Sequence, residues 1–226
     1  MDRPRILQVS PNTEHALTAP RPRLRGVSHL VAALLIVPLG AWWIVATPSW
    51  TDRLAVLAFV GGMTAMFSAS AALHLRRWNA RVHEALHRLD HTGIYLAIGG
   101  TGVALALLGL EGWTRYVMLG VALVGVVLGI LVEWLPFAPP RGFSNTVYIT
   151  LGWIPMLLLP WLWMQAGAVT VILLMVGGVL YTSGAVMLAL RRPDPSPTWF
   201  GYHELWHLLV IIAVVTHAIM LVRLSV

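Results

Sequence analysis

The chain has 226 residues, of which 58% are hydrophobic and only 11% charged, with a mean hydropathy of +0.77. A soluble domain carries about 25% charged residues, so this composition excludes an ordinary water-soluble enzyme. The formal charge is +6, all fifteen basic residues are arginine and cysteine is absent; this excludes disulfides, thiolate ligands, c-type haem attachment and a lysine Schiff base to retinal.

Residues 1–25, rich in proline and arginine and including His15, read as a disordered cytoplasmic tail, and residues 26–226 as one transmembrane domain. Uncharged apolar stretches of spanning length follow at 30–46, 54–73, 92–110, 116–132, 143–164, 166–190 and 205–222. The first lacks a small-residue cleavage site and reads as a retained helix. The fifth and sixth share one uncharged block, with a turn at Gln165-Ala166-Gly167. Prolines stiffen two connections, at 135–140 and 193–197, and no internal repeat is present. Trp42, Trp43, Trp50, Trp113, Trp134, Trp161, Trp163 and Trp199 lie near span ends and read as an interfacial belt. The expected fold is an all-α bundle of seven transmembrane helices.

Charge orients it. With a cytoplasmic N-terminus, twelve arginines fall inside and only Arg53, Arg115 and Arg223 outside, a strong positive-inside bias. Seven spans then put the C-terminus outside. The basic balance concerns topology and not nucleic acid, since no stripe of interleaved aromatics accompanies it. The arginine bias fits a GC-rich, bacterial genome, and the expected location is the cell membrane.

His203-Glu204-Leu205-Trp206-His207 opens the seventh span. Residues four apart on a helix lie about 40° and roughly 6 Å apart, so both imidazoles can converge on one ion. Imidazoles at membrane depth are costly to leave unpaired and usually mark a site. The second span closes with Ser70 and His74 on one face, and the third opens with Asp90-His91. The orientation chosen by charge gathers all of these, with His29, at the cytoplasmic ends of their helices. A catalytic zinc has three protein ligands and an open position for water. His74, His203 and His207 supply the three, Asp90 is placed to hold and deprotonate the water, and Ser70 to donate to a developing oxyanion.

Simpler roles exist for several of these residues. Asp90 can cap the third helix, and Ser70 can bond to its own helix backbone. Glu204 can be the base, as in H-E-x-x-H proteases. A second such sequence, His83 to His87, lies in an arginine-rich connection and reads as solvated or headgroup-facing. His217 is ten residues past His207, about 15 Å deeper, and reads as an internal hydrogen-bonding residue.

The joint pattern resembles the haemolysin-III branch of the progestin and adipoQ receptor family, within a wider group of membrane zinc hydrolases that includes alkaline ceramidases. The matching elements are Ser70-x-x-x-His74, Leu89-Asp90-His91 with Gly100-Thr101, Tyr148-x-x-x-Gly152-Trp153, and Gly177-Gly178-x-x-Tyr181-x-x-Gly184. Arg192-Pro193, Phe200-Gly201-Tyr202-His203-Glu204-x-Trp206-His207 and His217 complete them. The resemblance implies seven helices, a cytoplasmic N-terminus, Zn2+ on His74, His203 and His207, and Asp90 and Ser70 at the metal's water. Membrane lipids are the implied partners, with a lipid substrate inside the bundle. Two departures stand out: Arg25 and Pro22 replace the family's Asn and Glu before Ser28-His29, and Gly102-Val103-Ala104 replaces Tyr-Thr-Pro.

The expected activity is hydrolysis of amide or ester bonds in lipids. Three rivals come from other classes. One is a non-enzymatic receptor, stress-response or lytic protein with structural zinc. Another is an intramembrane metalloprotease, which needs an acidic third ligand, and no Asp or Glu follows Glu204. The last is a haem protein with paired histidines.

Overall fold

The computed structural model describes residues 21–135 and 142–225. The expected tail up to residue 20, with His15, and most of the first proline-rich connection lie outside the described residues. Seven helices are long and apolar enough to cross a membrane, and no strand forms among the described residues. They are α1 (Val27–Ala46), α2 (Trp50–His74), α3 (Ala80–Gly109), α4 (Gly112–Trp134), a broken fifth span, α7 (Ala168–Leu190) and α8 (Tyr202–Ser225). The fifth span is α5 (Phe143–Trp153), a 3-10 turn (Ile154–Leu158) and α6 (Leu159–Ala166). The all-α seven-span expectation holds.

The third span departs from its expected start. α3 begins at Ala80, where the Asn79 side chain accepts from Val82 N at 3.0 Å and caps the helix. Its first turns are charged, with Arg88 donating to Glu84 at 3.0 Å one turn back, so an apolar run does not reveal them. Thirty residues make a helix of about 45 Å against a hydrocarbon core of about 30 Å. The first turns of α3 therefore project beyond the core. Asp90 sits about three turns inside and is not the cap, which corrects that reading.

Packing without a hydrophobic drive relies on close approach of backbones. α2 and α3 achieve it through small residues: a Cβ on Gly62 would run into the Leu96 carbonyl, and one on Gly100 into that of Ala58. The core beside them holds Phe59, Met63, Phe67, Leu105, Met118 and Met220. α7 and α8 form a second close pair, with Trp206 lying where a Cβ of Gly184 would be. α5 has no buried residue and is the loosest wall of the bundle.

Outward-facing Leu34, Leu35, Leu39, Leu123, Val127 and Leu128 are exposed. A soluble monomer rarely tolerates an apolar surface of that extent, whereas lipid covers it. Most of the tryptophans near span ends are exposed as expected, but Trp43 is not. It is buried and donates from Nε1 to Ser225 Oγ at 3.1 Å, fastening α1 to the end of α8.

Candidate metal centre

Helix ends build this site. His74 is the last residue of α2, and His203 and His207 occupy the first two turns of α8. One ring nitrogen from each lies within 4.8 Å of the other two, the one such group of three among the described residues. His74 Nε2 and His203 Nε2 are 3.3 Å apart. Two ligands 2.0–2.1 Å from one tetrahedral ion lie about 3.3–3.4 Å from each other. The observed gap matches that spacing, and it leaves no room for a porphyrin between the two nitrogens. The His207 ring centroid is 4.6 Å from that of His203 and 5.2 Å from that of His74. His207 Nδ1 is buried without a protein partner. Three neutral imidazoles at membrane depth form a donor set that suits zinc.

Asp90 and Ser70 join this group. Asp90 Oδ2 is 3.8 Å from His74 Nε2. The Ser70 side chain, one turn before His74, is buried and lines the same cavity as Asp90.

His29 on α1 completes the wall. Its ring stacks on His207 at 3.8 Å between centroids and 8° between planes. It is 3% exposed, and neither of its nitrogens has a hydrogen-bond partner. The sequence puts His29 at this depth, but only tertiary packing reveals the stack.

Glu204 is turned away from the histidines. It is 1% exposed, forms an ion pair with Arg25 Nε and accepts from Gly201 N at 2.9 Å. Arg25 belongs to a short strap ahead of α1. Arg23 N and Leu24 N donate to the carbonyls of Thr198 and Trp199, and the Arg23 guanidinium lies 4.4 Å from the Trp199 ring. Gly26, at φ 80°, lets the strap run against the His74 backbone, where a Cβ would clash. Residues 21–25 are therefore bonded to the loop before α8, which corrects their assignment to a disordered tail.

A cavity of about 350 Å3 runs from the three histidines into the bundle. Ser70, His74, Asp90, His203 and His207 line it near one end, together with apolar residues of α3, α4, α5, α7 and α8. His217 lines it deeper in, with Nε2 3.3 Å from the Leu174 carbonyl oxygen, the internal hydrogen bond expected of it. His87, expected to be solvated, is exposed and also lines this cavity.

The family model described as "Haemolysin-III related" matches residues 17–218. The chain is 28% identical to the "ADIPOR-like receptor IZH2" of Saccharomyces cerevisiae, over 84% of this chain and 67% of that protein. It is 26% identical to "Hemolysin-3" of Bacillus cereus, over 82% of this chain and 83% of the relative. A "Hemolysin-3 homolog" of Bacillus subtilis is 23% identical, over 82% and 85%. The bundle of seven spans and the match over most of its length make this chain a membrane protein that belongs to the haemolysin-III-related family.

Proposed function

We propose that the protein is a zinc-dependent hydrolase of amide or ester bonds in membrane lipids, with Zn2+ on His74, His203 and His207. The observation that carries this reading is the 3.3 Å separation of His74 Nε2 and His203 Nε2, with His207 beside both. Zinc in a three-histidine site supplies a Lewis acid and lowers the pKa of a water in its open position to about 7. The chain's own groups do the rest. Asp90 takes the proton from the attacking water and hands it to the leaving amine or alkoxide. Ser70 donates a hydrogen bond to the oxyanion that develops on the substrate carbonyl. The mostly apolar cavity holds the acyl chain and keeps bulk water from the reacting carbonyl.

The arginine bias supports a cytoplasmic N-terminus in a cell membrane, and therefore a metal on the cytoplasmic side. The names of the relatives favour a second reading, a receptor-like or lytic protein in which zinc is structural. The discriminating experiment is hydrolysis of ceramide-like and other acyl lipids by detergent-purified protein, with zinc assayed on the same sample. Turnover that is lost in Asp90→Asn supports the hydrolase. No turnover of any lipid by zinc-loaded wild type overturns it in favour of the structural role.

A further inference from the structure

His83, His87 and His91 recur every fourth residue along α3 and so share one face. The ring centroids of His83 and His87 are 6.4 Å apart, and those of His87 and His91 only 4.1 Å. Paired imidazoles one turn apart are a natural two-point chelate for a divalent ion. A third group acts on this pair from α4. His91 Nδ1 lies 3.3 Å from Glu133 Oε1, and Ser144 Oγ donates to the same oxygen at 3.3 Å. A histidine that gives its Nδ1–H to a carboxylate presents Nε2 as the lone-pair nitrogen, the arrangement that orients metal-binding histidines elsewhere.

Position supplies the second argument. His87 is exposed and stands on the part of α3 that projects beyond the hydrocarbon core, yet it lines the same cavity as the three-histidine group. Side-chain exposure then falls inward, from 24% at His91 to 15% at Asp90 and 16% at His74. His207, at 2%, is buried. His87, His91, Asp90 and the three histidines thus line one cavity, and His87 is the exposed donor among them.

We propose that His87 and His91, with His91 oriented by Glu133, form a second site for a divalent transition-metal ion and load the centre at His74, His203 and His207. The loading role rests on the zinc reading of that centre; the existence of the second site does not. The second site offers only two protein nitrogens, and water would fill the other positions of a bound ion. Its affinity is therefore lower than that of the three-histidine centre, as release inward requires. Glu133 is a positioning residue here.

The test titrates metal-free, full-length protein in detergent with Co2+ or Zn2+ in competition with a chromophoric chelator. Wild type should take up two equivalents, one tight and one weak. His87→Gln and His91→Gln should each remove the weak equivalent and keep the tight one. Glu133→Gln should weaken the weak site by about tenfold or more. His203→Ala should do the reverse, losing the tight equivalent and keeping the weak one. In stopped-flow mixing, His91→Gln should fill the tight site several-fold more slowly while reaching the same final occupancy.

A single equivalent in wild type, unchanged in His87→Gln and His91→Gln, overturns the second site and leaves His91–Glu133 as a structural link between α3 and α4. Loss of both equivalents in the exposed His87→Gln variant also counts against a separate site. Two equivalents with an unchanged filling rate in His91→Gln overturn the loading role alone. A weak equivalent without any tight one overturns the zinc reading of the three-histidine centre and leaves the second site standing.

Discussion

Arg25 and Glu204, 179 residues apart in the chain, meet in a partly buried ion pair beside the two histidines that flank Glu204 in sequence. The acid of the protease-like sequence is therefore already engaged. Arg25 and the Gly201 amide hold it on the strap side of α8, while Asp90 occupies the cavity side. Two acids, two environments and two roles follow.

The first expectation concerns the base. If Asp90 acts on the water as proposed and not as a ligand, Asp90→Asn should retain zinc and lose about 10²–10⁴-fold in lipid hydrolysis. Ser70→Ala should fall less, because it removes one hydrogen bond among several contributors to charge stabilisation. Glu204→Gln should leave the chemical step of folded protein nearly unchanged. A dead Glu204→Gln beside an active Asp90→Asn would move the base to α8.

Stability should depend on the strap. Arg25→Ala leaves Glu204 buried without its counter-ion, which typically costs about 3–5 kcal/mol. The side chains are 17% and 2% exposed, so solvent screens the pair little. Thermal unfolding in detergent should show a clear drop for Arg25→Ala and partial recovery in the double variant Arg25→Ala/Glu204→Gln. Equal stability of Arg25→Ala and wild type would show that the pair contributes nothing.

Metal retention should follow the geometry. Ala at His74, His203 or His207 removes one of the three proposed ligands and should strip most tightly held zinc at neutral pH. His83→Ala should leave the tight zinc in place, since its ring lies a full turn beyond His87. Metal analysis after exhaustive dialysis reads both outcomes. A dispensable His74 would refute the assignment.

Topology can be read with single cysteines, because the chain contains none of its own. Pro48, between α1 and α2, and Pro197, between α7 and α8, are exposed at opposite ends of the bundle. A cysteine at position 48 should react with an impermeant reagent from outside, and one at 197 should not. The reverse labelling would place the histidine cluster on the outer side.

Features encoded locally were legible in the sequence. Apolar run length marks the seven spans, and the four-residue spacing of His203 and His207 marks their shared face. Charge bias brought His74 and Asp90 to the same depth without any contact information. What remained hidden depends on register between helices distant in sequence. No local pattern pairs Arg25 with Glu204, Trp43 with Ser225 or His91 with Glu133. The true start of α3 was hidden for a different reason: its early turns are helical but charged, and Asn79 alone signals the beginning.

The close contacts at Gly62 and Gly100 make α2 and α3 a single stiff strut, and the contact at Gly184 makes another of α7 and α8. Ser70, His74 and Asp90 ride on the first strut, and His203 and His207 on the second. The histidine cluster is thus the joint where the two struts meet. An ion gripped by all three imidazoles would act as the pin of that joint, so its removal should loosen the halves against each other while leaving each half straight.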